Sequence, residues 1–493
     1  MPAPTLGYSL ALMKRPSPNS ADHERVDVAA NAAAPFSPRT AIAMQGGKLG
    51  LLSLICVIYL VVSGGAYGTE DAVRIAGPRL TLLLCLLVPL TLSVPTALMA
   101  AELNALMPVE GGFYFWVKEA LGPFWGFAEA YLTLLYTAVD MAIYPVLFSA
   151  YLAFLYPLGI GGQLVVGTAL VWLAGLLNYL GVRPAGDSAI LLTALLLAPF
   201  AALVALGFGH LVHWHPPAGH IFGPDFALAL GGGLTIIIWN FSGWENASVV
   251  AGEIRDPRRT YQRALAIALP MVVLGYMLPL GVALSGAHSG AKWETGWYSE
   301  IGRQLGGPAL GAALALGGMV SAFSIFTAAM LWVSRMPFVL ARESYLPRWL
   351  AEVWRATATP GKSILACCVL FTMLVPLGFV TLVILDVFFY MGALVLELSA
   401  LVTMRRKRPA RDGLFVIGGG KAGLYLVAGL PMLTWCATFG LALTAGGIKQ
   451  DFIVAVALAA TTYPAYALCR GLWGGPPRGQ SVFDPLANSA KAP

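Results

Sequence analysis

The chain has 493 residues, of which 58% are hydrophobic and 11% charged. The charged share is about half of what a soluble domain carries, too little polar surface to cover a soluble core of this length, and a lipid-facing exterior resolves the conflict. The net charge of +6 comes from short Lys and Arg clusters between apolar runs, which is a topology signal rather than a nucleic-acid footprint, and the six cysteines read as buried thiols without zinc-type or disulfide-type spacing.

Residues 1–46 are rich in Ala, Pro, Ser and charge and lack the apolar core of a cleavable signal peptide, so a disordered cytoplasmic tail is expected. From residue 47 the apolar runs predict an all-α integral membrane protein with about 12 transmembrane helices. They fall at roughly 47–76, 79–106, 123–153, 163–181, 186–209, 226–253, 261–285, 308–335, 361–382, 383–404, 420–445 and 450–471. The ninth and tenth nearly abut. Residues 472–493 read as a second cytoplasmic tail, leaving a transmembrane domain at 47–471.

The first span contains "VVSGGAYGTEDAV", residues 61–73. Ser63, Gly64, Gly65 and Gly68 lower helix propensity in the middle of an apolar run. Either the glycines mark close helix packing or the helix unwinds there, which hydrocarbon tolerates only around a cavity or a ligand. Glu70 and Asp71 follow at once and are expected in a hydrated outer vestibule, drawing cationic groups inward. The loop "MPVEGGFYFWVKEALG" at 107–122 is amphipathic and expected on the cytoplasmic side.

In the third span Thr133, Tyr136 or Thr137, Asp140 and Tyr144 recur at helical spacing as one polar stripe. A carboxylate at mid-span is costly, so Asp140 faces either a pathway or a structural partner, and no Lys or Arg lies at that depth in spans five or six. Glu102 and Glu129 lie nearer the inner ends, as structural or functional acids. Residues 210–220 hold His210, His213, His215 and His220; a solvated, proline-kinked loop is favoured over a metal site.

The sixth span carries "IIIWNFSGWENASVVAGE", where Asn240, Ser242, Gly243, Glu245 and Asn246 interrupt an apolar run. Interrupted helices at corresponding positions of two halves point to an inverted-repeat transporter. The positive end of the outer half-helix after Ser63 would then stabilise a substrate carboxylate, and freed carbonyls at the end of each preceding half-helix would attract an ammonium group. Glu245 and Asp140 are candidate cation ligands. Residues 286–307 are expected to include a short external cap helix.

With the N-terminus inside, only Arg74, Arg79, Lys292, Arg303 and Lys449 fall outside, leaving 25 of the 30 Lys and Arg residues on the cytoplasmic side. Both termini are then cytoplasmic, in a cell membrane.

The segments "SGGAYGTEDAV", "AELNALMPVEGGFYFWVKEALGPFWGF", "VDMAIYPVLFSAYL" and "IWNFSGWENASVVAGEIRDPRRTYQRAL" resemble the amino acid–polyamine–organocation superfamily of permeases. The chain is most similar to the L-type amino acid and polyamine uptake branch, over about residues 47–470. The resemblance implies a leucine-transporter (LeuT) fold: a five-plus-five inverted repeat, about 47–209 and 226–404, with broken helices 1 and 6 and extra helices at 420–471. It implies substrate held by Ser63, Gly64, Gly65, Ala66, Tyr67 and Gly68 of span one. From span six it implies Trp239, Asn240, Phe241, Ser242, Gly243, Trp244 and Glu245, with Asp140 and Tyr144 alongside. Residues 186–209 lack the lysine that proton-coupled permeases of the superfamily often place on helix five. Asp140 or Glu245 is then the alternative proton carrier, while Ser321, Ser324, Thr327 and Ser334 on span eight leave sodium open. No other cofactor or metal is expected.

These residues predict a secondary active permease that imports amino acids or polyamines, with cationic substrates favoured over neutral ones and acidic ones disfavoured. A neutral amino acid permease or exchanger is the alternative. A non-transporting membrane sensor or a channel is the alternative of another class; no HExxH, Cys–His pair or nucleophile elbow suggests an enzyme.

Overall fold

A computed structural model describes residues 50–107, 112–181, 186–213, 225–246, 257–285, 293–354, 357, 359–407, 414–444 and 449–474. The expected tails lie outside the described residues except for 472–474, and so do His215 and His220. Among the described residues the regular elements are helices, with one isolated bridge between Trp354 and Thr359.

The first span is two helices, α1 (Leu51–Val62) and α2 (Thr69–Ala76). α3 (Pro78–Val88) runs through a π-helical turn at Pro89–Ser93 into α4 (Val94–Leu106). Pro89 has no amide proton to donate, so the ladder widens there instead of ending. α5 (Gly112–Leu121), α6 (Pro123–Leu155), α7 (Ile160–Tyr179), α8 (Gly186–Leu206) and the short α9 (Phe208–Val212) follow. α10 (Phe226–Asn240) stops in the middle of the sixth run. The remaining helices are α11 (Pro257–Ser285), α12 (Trp297–Val333), α13 (Arg335–Arg342), α14 (Gly361–Leu374), α15 (Phe379–Lys407), α16 (Gly420–Thr444), α17 (Lys449–Ala460) and α18 (Thr462–Trp473).

Among the described residues nine helical stretches are long and apolar enough to cross a membrane. Three shorter apolar ones, Leu51–Val62, Phe226–Asn240 and Gly361–Leu377, coincide with the first, sixth and ninth predicted spans. The chain is therefore a multi-pass membrane protein. α6 is the element on which the others assemble: it packs along α15, α12, α5 and α7. Its 33 residues would extend about 50 Å, more than the roughly 30 Å of hydrocarbon, so it protrudes or tilts.

Several expectations change. The ninth and tenth spans divide at Gly378 (φ 78°), not between residues 382 and 383, because α15 begins at Phe379; apolar residues on both sides hid the boundary. The 107–122 loop is not a half-wet surface helix: Phe113, Tyr114, Phe115, Trp116 and Val117 of α5 are all buried. Cys436 is exposed rather than buried. The cap helix is present as residues 297–305, separated from the rest of α12 by non-helical Gly306 and Gly307 ahead of Pro308.

Glu102 is structural. It accepts the Arg405 guanidinium through both oxygens and the Ile417 amide at 2.8 Å, tying α4 to α15 and to the strand of chain before α16. The pair is largely enclosed, with side-chain exposures of 2% and 15%. Removing one member of such a pair strands the other charge in an apolar medium. Arg405→Ala should cost about 3 kcal/mol and lower the thermal unfolding midpoint in detergent, with Arg405→Lys falling between; an unchanged midpoint would show that Glu102 does not depend on it.

Candidate functional site

The first break is an unwound segment. Ser63 is extended (φ −135°, ψ 123°), and Gly65 and Gly68 have φ of 85° and 89°. A side chain at Gly68 would be strained by that φ and would also meet the Trp239 ring at 2.9 Å, so two constraints select glycine there. The freed polar groups are satisfied one by one. The Ser63 hydroxyl accepts the Gly65 amide at 3.2 Å, and Ser321 of α12 donates to the Gly64 carbonyl at 2.8 Å. The Thr69 hydroxyl donates to the Ala66 carbonyl at 2.7 Å, and Tyr67 donates to the Leu314 carbonyl at 2.8 Å.

The positive end of α2 is already occupied. Glu70 turns back to accept the Gly68 amide at 2.7 Å, and it also accepts the Tyr151 hydroxyl at 2.8 Å and the Gly296 amide at 3.3 Å. This corrects the vestibule expectation: Glu70 is 0% and Asp71 4% exposed. Asp71 pairs with Arg74 at 2.7 Å and accepts the Thr295 hydroxyl at 2.6 Å. A carboxylate can serve three donors at a helix start where an amide cannot.

The second break follows Asn240. Phe241 caps α10, and Gly243 (φ 90°) takes a left-handed conformation that a side chain resists. Its amide donates to the Tyr390 hydroxyl of α15 at 3.2 Å. Tyr276 of α11 donates to the Asn240 carbonyl at 2.9 Å, and Ser93 of the π-turn donates to the Phe241 carbonyl at 3.0 Å. Residues 247–256, the rest of the predicted sixth span, lie outside the described residues.

A cavity of about 60 Å³ lies between the two breaks. Of the expected residues, Ser63, Gly64, Tyr67, Asp140, Tyr144, Trp239, Asn240, Ser242 and Gly243 line it. Gly65, Ala66, Gly68, Phe241, Trp244 and Glu245 do not. Gly65 packs under Phe200 of α8, Ala66, Phe241 and Trp244 are fully buried in the wall, and Glu245 sits behind Tyr390. Of the span-eight hydroxyls, Ser321 lines the cavity and donates to the Gly64 carbonyl, and Thr327 donates to the Phe323 carbonyl at 2.7 Å.

Asp140 accepts the Trp239 indole at 3.0 Å and the Tyr144 hydroxyl at 3.0 Å. A second carboxylate, unforeseen from the sequence, faces the same space: Asp386 of α15 is 3% exposed and its Oδ1 has no hydrogen-bond partner. Tyr136, Tyr151, Tyr276 and Tyr390 complete an aromatic wall, and among the described residues no Lys, Arg or His is part of it. The signal for Asp386 was an acid inside the apolar run "VILDVFFYMGAL", one turn before Tyr390 on the same helical face. Chemically, this is a small aromatic box with two acids and no base. It suits ammonium groups through charge and cation–π attraction.

A sequence profile of the amino acid permease family matches residues 47–466. The polyamine transporter RMV1 of Arabidopsis thaliana is 32% identical over 385 residues, covering 77% of this chain and 78% of that protein. The polyamine transporter PUT1 of Oryza sativa subsp. japonica is 33% identical over 424 residues, 85% of this chain and 78% of its own length. An uncharacterized transporter of Mycobacterium tuberculosis is 26% identical over 336 residues, 67% of this chain and 73% of that one.

Glu70→Gln should destabilise the first break by about 1–3 kcal/mol, because one face of the amide presents a donor to other donors. Thermal unfolding in detergent would read this as a lower midpoint, and an unaltered one would show that the three contacts are incidental.

Proposed function

The chain belongs to the amino acid permease family, and from that premise we propose a secondary active permease that imports linear amines, diamines and polyamines foremost, by alternating access. The observation that carries the substrate class is the pair of cavity acids, Asp140 and Asp386, in a wall without a base. Two ammonium groups of one linear molecule can each meet a carboxylate, while the methylenes between them lie against Tyr136, Tyr144, Trp239 and Tyr390. An α-amino acid would bring a carboxylate into that acidic box, and Glu70 already holds the start of α2. The names of the Arabidopsis and rice relatives agree with this reading.

Alternating access is read through a LeuT-type plan of two inverted repeats, about 47–209 and 226–404. Helices interrupted at the first position of each half support it, and residues 420–471 stand as added helices. The concentration of basic residues in alternate loops supports cytoplasmic termini in a cell membrane, with the segments before 47 and after 471 as tails. Substrate contacts come from Ser63, Gly64 and Tyr67, from Trp239, Asn240, Ser242 and Gly243, and from Asp140, Tyr144, Asp386 and Tyr390, while Phe241 supports the wall from behind. Gly65, Ala66, Gly68 and Trp244 act by holding the backbone that supports them.

Uptake by full-length protein in proteoliposomes tests this. Putrescine should be taken up saturably and ahead of leucine, with glutamate excluded; preferred glutamate transport would overturn the reading. A charge-assisted hydrogen bond is worth about 1.5–3 kcal/mol, so Asp140→Asn and Asp386→Asn should each weaken putrescine binding about 10–100-fold. If both variants transport with unchanged KM, the acids are not the amine ligands.

A further inference from the structure

Three more acids lie outside the cavity wall: Glu129 on α6, Glu397 on α15, and Glu245 just past the second break. None is more than 4% exposed. Their charges act on one another, Glu245 on Glu129 and both on Glu397. Glu129 Oε1 accepts the Thr133 hydroxyl at 2.7 Å, and Glu245 Oε2 accepts the Tyr390 hydroxyl at 3.1 Å. Among the described residues, Glu129 Oε2 and Glu397 Oε2 are buried without a hydrogen-bond partner. Among the described residues, the other titratable groups bearing on the three include the phenols Tyr114 of α5, Tyr136 of α6, Tyr261 of α11 and Tyr390 of α15. The ion pairs found among the described residues include none of these glutamates.

Acids crowded in an apolar medium require a compensating positive charge. No group of His, Cys, Asp and Glu among the described residues is arranged to hold a metal ion. A proton needs no coordination sphere; it needs a carboxylate oxygen with a lone pair to bind it, which each of the two orphaned Oε2 atoms offers. The connection to the cavity is Tyr390. Its ring lines the cavity, its hydroxyl donates to Glu245, and the same oxygen accepts the Gly243 amide of the second break.

We propose that Glu129, Glu245 and Glu397 form the site of the coupling proton, and that Tyr390 links its occupancy to the second break and to the amine. The proposal rests on the permease reading above. With Glu245 bare, Tyr390 donates to it and steadies Gly243. When a proton occupies Glu245, that carboxyl becomes a donor itself, the Tyr390 hydroxyl is released toward the cavity, and the support of Gly243 changes. The proton binds by forming an O–H bond to a carboxyl oxygen and leaves when that bond breaks, and no bond of the substrate is made or broken.

The test uses full-length protein in proteoliposomes containing a pH-sensitive dye, with radiolabelled putrescine. Counterflow, which needs binding and translocation without a gradient, is measured beside accumulation driven by an imposed pH gradient. Wild type should show both, with proton flux matching putrescine flux. Glu397→Gln and Glu129→Gln should keep counterflow while losing gradient-driven accumulation and dye response at least tenfold; Glu397→Asp and Glu129→Asp should regain part of both. Gradient-driven accumulation at wild-type level in both Gln variants would overturn the proposal. So would accumulation in wild type driven by sodium and indifferent to pH, or Asp variants as inactive as Gln variants in every assay. Absence of putrescine counterflow in wild type would instead sink the permease reading, and the coupling site with it.

Discussion

A helix surrounded by hydrocarbon can stop only where each peptide group it releases finds another partner. Everything notable in this molecule follows from meeting that requirement twice. At the first break the partners are Ser63, Glu70 and Ser321, and at the second they are Tyr276, Tyr390 and Ser93. The supporting side chains come from α2, α11, α12, α15 and the π-turn, so the breaks are also the places where distant parts of the chain are fastened together. The cavity between them is the space left by two interruptions that face each other.

The two acids of the cavity are treated differently by their surroundings. Asp140 is held by an indole and a phenol, fixing its direction, while Asp386 keeps an oxygen without a partner. One acid is thus oriented in advance and the other retains unspent hydrogen-bonding capacity. Tyr390 stands between this pair and the deeper glutamates, one hydroxyl serving backbone, acid and cavity wall at once.

Much of this was legible in the linear chain. Glycines inside apolar runs marked both breaks, and Asp140 was conspicuous as an acid at mid-span with Tyr144 one turn on. What remained hidden depends on partners far away in sequence. Glu70 resembled a wet vestibule acid because nothing local reveals that Tyr151 and Gly296 converge on it. Asp386 and Glu397 share a helical face three turns long, a pattern as visible as the stripe on α6, yet the single Gly392 between them, unlike the Gly64–Gly65 pair, does not interrupt the helix. Gly378 failed as a boundary marker for the opposite reason, since apolar residues continue on either side of it.

The cap before α12 is bound to α2 at three points: Thr295 to Asp71, Gly296 to Glu70, and Tyr298 to Thr69 at 2.9 Å. Residues 297–305 turn at the bent Gly306–Gly307 pair and fold back on the rest of α12, Gly302 against Leu310 and Leu314 and Gly311 against Ser299 and Arg303. Mechanically, the second half of the first helix and this cap are tied together side to side. A displacement of one is therefore carried to the other, and through it to the glycine turn ahead of Pro308.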